Sequence, residues 1–148
     1  MDDLPSAVLF ACSMNSVRSP MAEGILKFLH GTRIYVDSVG VRSLDVDGFA
    51  VSVMDEIGID ISGHQAKTFD DLEDTYFDLI VPLSPEAQHR AVEMTRVMAV
   101  DIEFWNTFDP SVIDPDNREQ RLAAYRQVRD QLMEKIENRF PRVRAIDT

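Results

Sequence analysis

Cys12, the only cysteine of the chain, stands six residues before Arg18 in the stretch Cys-Ser-Met-Asn-Ser-Val-Arg-Ser-Pro. A thiolate is a nucleophile, and a guanidinium is a planar fork that takes two oxygens of a tetrahedral oxyanion. If Ser13, Met14, Asn15, Ser16 and Val17 curl with their N–H groups inward, they make a nest of partial positive charge. The N-terminus of a helix starting at Pro20 would back it. That surrounding favours the thiolate form of Cys12, which can attack phosphorus. Arg18 and the N–H ring would hold the equatorial oxygens of the transition state. Ser19 can donate its hydroxyl to the sulfur, first as nucleophile and later as leaving group. Taken singly, a lone cysteine reads as a small core residue and Arg18 as a solvated residue at a helix start. Arginine followed by serine or threonine at these offsets from a cysteine arises by chance in roughly one case in a hundred. The joint placement therefore favours an anion trap with a nucleophile inside.

Such a reaction needs a general acid, because the leaving oxygen must be protonated as its bond breaks. Of the 26 acidic residues, Asp109 stands out. It precedes Pro110 in a long loop and is flanked by Trp105 and Phe108, apolar neighbours that favour a protonated carboxyl group. Asp114, before Pro115, competes with it, and Asp101 is a weaker third. An Asp-Pro step is also a common way to start a turn, so the residues alone leave Asp109 open. His30, His64 and His89 lack the spacing of a metal site. His64, after Ser62-Gly63, reads as a structural group near a helix–loop junction rather than as a base.

The elements that must position these groups follow from periodicity. Ala7 to Ala11 is a continuous apolar run, as expected of a strand buried on both faces. Ser19 and Pro20 read as N-cap and first residue of a helix with apolar positions at Met21, Ala22, Ile25, Leu26 and Leu29, closed by Gly31. Ile34–Val39 predicts a second strand ending at Gly40, and Phe49–Ile57 a helix stopped by Gly58. Leu79–Leu83 predicts a third strand, Ser84-Pro85 a helix running through Met94, and Val97–Val100 a fourth strand. Residues 103 to 118 read as a loop. Leu122, Tyr125, Val128, Leu132, Ile136 and Phe140 predict one long amphipathic helix ended by Pro141. Alternating strands and helices imply right-handed βαβ units, hence a parallel sheet with helices on both faces. Ligands bind such sheets outside the carboxyl ends of their strands, where Cys12 stands.

The 148 residues fit one domain, 1–148, with 45% hydrophobic and 28% charged residues, ordinary for a globular protein. A net charge of −11 argues against a nucleic-acid partner, so any anion site must be local. No apolar run is long enough to cross a bilayer, and the start Met-Asp-Asp-Leu-Pro is too acidic for a secretory signal. One cysteine excludes an internal disulfide and a multi-cysteine zinc site, and fits a reducing cytoplasm.

The stretch V-L-F-A-C-S-M-N-S-V-R-S-P-M-A-E-G resembles the active-site segment of the low-molecular-weight protein tyrosine phosphatases. The resemblance runs from about Ala7 to Phe140, through D-S-V-G-V around Ser38, I-D-I-S-G-H-Q-A-K around His64, F-D-L-I-V around Leu79 and F-D-P at Asp109. It implies a three-layer α/β/α fold with a four-stranded parallel sheet and an anion-binding loop after the first strand. It also implies a cysteinyl-phosphate intermediate, no cofactor and no metal. By match, Cys12 is the nucleophile, Arg18 binds phosphate, Asn15 and Ser19 order the loop and tune the thiolate, and Asp109 is the acid. The implied activity is phosphomonoester hydrolysis on phosphorylated protein or a small ester, with phosphate, sulfate or arsenate fitting the loop.

The chain departs from the family pattern at three places. Met14 stands where glycine is usual, and Val17 where many members carry a second cysteine. Ser111 and Val112 replace the tyrosines that sandwich a phosphotyrosine ring, leaving Trp105 and Phe108 as candidates for a substrate wall. The related thioredoxin-coupled arsenate reductases share the fold but need two further cysteines. Ser84 stands near the end of the third strand, where one of those is expected. An arsenate reductase working with this single cysteine would therefore depend on an external low-molecular-weight thiol.

Overall fold

The computed structural model describes residues 4–73 and 76–142. Four strands, β1 (Ala7–Cys12), β2 (Tyr35–Gly40), β3 (Leu79–Pro82) and β4 (Asp101–Ile102), form one parallel sheet in the order β2-β1-β3-β4. Four helices join and cover them: α1 (Arg18–His30), α2 (Gly48–Asp55), α3 (Pro85–Met94) and α4 (Arg118–Arg139). This is the α/β architecture expected from the alternation of strands and helices.

Every residue of β1 is buried, because the strand is central and covered on both faces. Its alternate side chains enter two separate cores. Val8, Phe10 and Cys12 pack with Met21 and Ile25 of α1, Val53 of α2, and Tyr125 and Leu132 of α4. Ala7, Leu9 and Ala11 pack with Ala87 and Ala91 of α3 and with Phe69 and Phe77. Truncating Phe10, which is fully buried, would cost about 3–5 kcal/mol. The imidazole of His30 lies 2.6 Å from the carbonyl of Phe140, tying the end of α1 to the end of α4. Arg126 and Arg129 of α4 grip Glu56 after α2 and hold its carboxyl down at about 2. Among the described residues no helix is long and apolar enough to cross a membrane.

Two elements differ from the sequence expectation. The apolar run Val97–Val100 is not the fourth strand: Val97 is 82% exposed and Met94–Val97 closes a turn after α3. The strand is Asp101–Ile102, an edge of two residues paired with Leu79 and Ile80. An edge strand this short carries almost no periodic signal. Helix α1 begins at Arg18, two residues before Pro20, and Val17 rather than Ser19 sits at its N-cap without a side-chain cap bond. The Ser19 hydroxyl is used elsewhere.

Candidate active site

The loop between β1 and α1 is held from outside by the segment that follows β2. The carbonyls of Cys12, Ser13, Met14 and Ser16 accept from the N–H groups of Val41, Arg42, Leu44 and Asp47 at 2.8–3.1 Å. With these carbonyls turned outward, the loop's own N–H groups turn inward. Among the described residues the N–H groups of Ser13 to Val17 donate to no protein acceptor. They form the concave nest that an anion fills.

Among the described non-glycine residues only Asn15 has a positive φ, 54°, a conformation that asparagine tolerates better than most residues. Met14 therefore needs no glycine-like backbone, which is how it stands where glycine is usual. Gly40 is the reciprocal requirement. A Cβ there would lie 2.6 Å from the Asn15 nitrogen and 2.3 Å from the Arg42 carbonyl oxygen, so no side chain fits.

Behind the loop is a chain of directed hydrogen bonds. The Asn15 carbonyl oxygen accepts from the Lys67 N–H at 2.9 Å and meets His64 Nε2 at 3.0 Å. Its amide nitrogen therefore donates, to Ser19 Oγ at 2.9 Å and Ser38 Oγ at 3.0 Å. Ser38 passes its own hydrogen to Glu23 at 2.5 Å. Ser19 accepts from Asn15, and its own hydrogen can go to Cys12 Sγ, 2.9 Å away, or to the more distant Val39 carbonyl at 3.4 Å; a thiolate draws it toward the sulfur. That direction makes the sulfur an acceptor, the arrangement that suits an anionic nucleophile. Burial holds the His64 imidazole below its ordinary pKa, against the partial opposition of Glu23. Its neutral form is thus a structural partner of Asn15.

In front, a cleft of about 70 Å³ is lined by Cys12, Met14, Ser16, Val17, Arg18, Leu44, Asp47, Asp109 and Ser111. Arg18 is buried; one nitrogen donates to the Thr107 carbonyl at 3.0 Å and another lies 3.8 Å from Asp109 Oδ2. The stretch carrying Thr107 continues the edge of β3, with Glu103, Trp105 and Thr107 donating to Ile80, Pro82 and Leu83. That continuation delivers Asp109 to the mouth of the cleft.

The structure thus brings Cys12, Arg18 and Asp109 to one cavity, with Met14, Ser16 and Val17 on its wall. Asn15 and Ser19 lie behind it, and Ser13 turns aside to Ser84 at 3.2 Å. Asp114 and Asp101 are exposed and not on the cleft. The apolar surrounding expected for Asp109 is absent: its Oδ1 accepts from the N–H and hydroxyl of Ser111, and its other oxygen faces Arg18. Trp105 is not a substrate wall, since its ring packs on Phe10 and Phe140 with centroids 6.1 and 6.4 Å away. Phe108 is exposed and outside the lining.

Leu44, Asp47, Ser111 and Thr107 were not legible as site residues. Asp47 carries a signal, the N-cap pattern before α2, where its Oδ1 accepts from Phe49 and Ala50. Its other oxygen accepts from the Tyr125 hydroxyl at 2.9 Å, and burial with this carboxylate pushes the phenol well above its usual range.

Comparison with known proteins places this geometry. Residues 7–146 match the family described as "Low molecular weight phosphotyrosine protein phosphatase". The chain is 34% identical to a protein named "Glutaredoxin arsenate reductase" from Synechocystis, over 92% of this chain and 97% of that protein. A solved arsenate reductase in its phosphate-binding state superposes with a TM-score of 0.67 at 32% identity, covering 89% of this chain and 94% of that one. A tyrosine phosphatase of Erwinia amylovora superposes with a TM-score of 0.72 over 94% and 95% of the chains; at 21% identity it shares the fold.

Proposed function

This chain belongs to the low-molecular-weight phosphotyrosine protein phosphatase family, and from that premise we propose that it is a single-cysteine arsenate reductase coupled to an external low-molecular-weight thiol. The observation that carries the reading is the cleft: about 70 Å³, floored by Cys12 and Arg18, with no aromatic ring on its lining. It suits a bare tetrahedral oxyanion and offers no stacking surface to a phenyl ring. The similarity to proteins named as arsenate reductases supports the same choice.

In this mechanism Cys12 Sγ attacks the arsenic of arsenate, forming a sulfur–arsenic bond. One arsenate oxygen takes a proton from Asp109 and leaves as water. Arg18 exchanges the Thr107 carbonyl for the remaining oxygens, which the inward N–H groups also hold. Cys12 is the sole cysteine and is free, so the next sulfur must come from outside. An external thiolate attacks Sγ, and the sulfur–arsenic electron pair leaves with arsenic as arsenite. A second thiol then attacks the external sulfur of the mixed disulfide and regenerates Cys12. Arsenic gains two electrons, and two thiols become one disulfide with release of one water. A reducing cytoplasm supplies such thiols, and we place the enzyme there.

A second reading, phosphomonoester hydrolysis through a cysteinyl phosphate, would use the same Asp109. Its Oδ2, 3.8 Å from Arg18 at the cleft mouth, is where a leaving alcohol would collect a proton. Arsenite production from arsenate with glutathione, run beside aryl phosphate hydrolysis, tests the choice. Thiol-dependent arsenite formation with little phosphatase turnover is expected. Brisk aryl phosphate hydrolysis without arsenite would install the second reading in its place.

A further inference from the structure

Asp47 lines a second cavity besides the Cys12 cleft. This one, of about 460 Å³, opens between the first turns of α2 and α4 and is lined by Asp47, Gly48, Phe49, Ser52, Arg118 and Arg121. The guanidinium carbons of Arg118 and Arg121 lie 5.4 and 5.1 Å from the centroid of the Phe49 ring. Two like charges converge there in a chain whose net charge is −11.

Several arginines have anionic partners: Arg42 meets Glu86, Arg90 meets Asp70, Arg126 and Arg129 meet Glu56, and Arg139 meets Glu103, while Arg33 and Arg96 stand apart on the surface without a carboxylate at ion-pair distance among the described residues. Among the described residues Arg118 and Arg121 meet no carboxylate within ion-pair distance. Arg121 donates to the carbonyls of Ser111 and Ile113, and its Nε is buried with no acceptor. The one carboxylate on the cavity wall, Asp47, has both oxygens engaged, by the α2 N-terminus and by Tyr125. Two guanidiniums against one carboxylate leave the wall with a net positive charge beside the Phe49 ring, which favours an incoming anion. Asp47 lines both cavities, and Arg121 of this one grips the carbonyl of Ser111 on the wall of the Cys12 cleft.

We propose that this cavity binds the carboxylates of the external thiol. The co-substrate is an acidic low-molecular-weight thiol, docked by Arg118 and Arg121, with its sulfur reaching across Asp47 to Cys12. This deepens the arsenate reductase reading and rests on it. A thiol without carboxylates gains nothing from the arginine pair and reaches Cys12 only by collision.

Calorimetric titration of the full chain with S-methylglutathione, an unreactive probe with two carboxylates, and with its diethyl ester tests the proposal. The acid should bind about 10–100-fold more tightly than the ester, the range of a charge-assisted hydrogen bond. Arg118→Gln, an exposed position at the start of α4, should remove most of that difference. Equal affinity for acid and ester, or an unchanged preference in Arg118→Gln, overturns the cavity assignment. Arsenite formation is scored separately. If no thiol supports it, the reaction assigned above falls, while the binding comparison still decides the cavity. If arsenite forms equally well with the esterified thiol, the reaction stands and the cavity assignment falls.

Discussion

Behind the catalytic loop, Asn15, Ser19 and Ser38 are fully buried and share one relay of hydrogen bonds with Glu23 and His64. In front of it, Leu44, Phe108 and Val112 are each more than half exposed, and the cleft wall is held mainly by backbone bonds. Disturbing the back leaves buried polar groups without partners, which is expensive and moves the sulfur. Changing the front alters what is presented to a ligand and little else. The chemistry of this chain is thus fixed by its rigid side, and its choice of substrate by its adaptable side.

The sharpest test of that division removes the centre both sides serve. Cys12→Ser should take arsenate reduction and aryl phosphate hydrolysis below detection together while the fold melts normally; residual turnover of either substrate would place its chemistry elsewhere. Asp109→Asn belongs to the front yet acts on the proton. It should slow arsenite formation, and whatever aryl phosphate hydrolysis the native protein shows, by about 10²–10⁴-fold in steady-state assays, and if Asp114→Asn does so instead, the acid is misassigned. At the back, Asn15→Ala deletes four hydrogen-bond partnerships and the residue that accepts φ of 54°. Denaturant melts should show a loss of about 2–3 kcal/mol together with a fall in turnover; loss of activity at full stability would break the link between relay and rigidity.

The pH response also separates the two sides. Burial disfavours the charged form of His64, so its folded pKa lies below 6.5. As pH falls through about 6.5 the unfolded chain takes up that proton first, and stability falls with it. The slope is at most about 1.4 kcal/mol per pH unit, down to the lower folded value. Urea melts at pH 7.5 and 5.5 should show this in the native protein and less of it in His64→Asn. The smallest effect is expected at the front: Phe108→Ala should shift stability by no more than about 0.5 kcal/mol, with a change confined to KM. A large drop in kcat there would mean that the front also sets the chemistry.

This division parallels what the sequence made legible. Cys12, Arg18 and the strand–loop–helix around them stood out because they are close in the chain and sit on a strong periodic signal. The relay behind them was legible only in part. Glu23, Ser38, His64 and Lys67 come from α1, β2 and the segment after α2, and each alone looks like an ordinary polar residue. Ser19 reads as a helix cap, but tertiary contact with Cys12 and Asn15 overrides that local preference. Trp105 carries an aromatic signal that serves a wall or a core equally well, and only the positions of Phe10 and Phe140 decide between them. Asp109 was picked out by its proline and by the resemblance. Its polar partners, Ser111 and Arg18, were not visible in its apolar sequence neighbours.

Gly40 has a use beyond this chain. The atoms that a Cβ would strike there belong to the main chain of residues 14, 15 and 42, which cannot rotate aside as a side chain would. The position therefore acts as a fingerprint of loop shape. When a newly sequenced protein carries a cysteine and arginine at this spacing, the end of its second strand can be read first. Glycine there is compatible with the loop described above. Any other residue announces a differently shaped cradle, and with it grounds to doubt the same chemistry, before a single structure is determined.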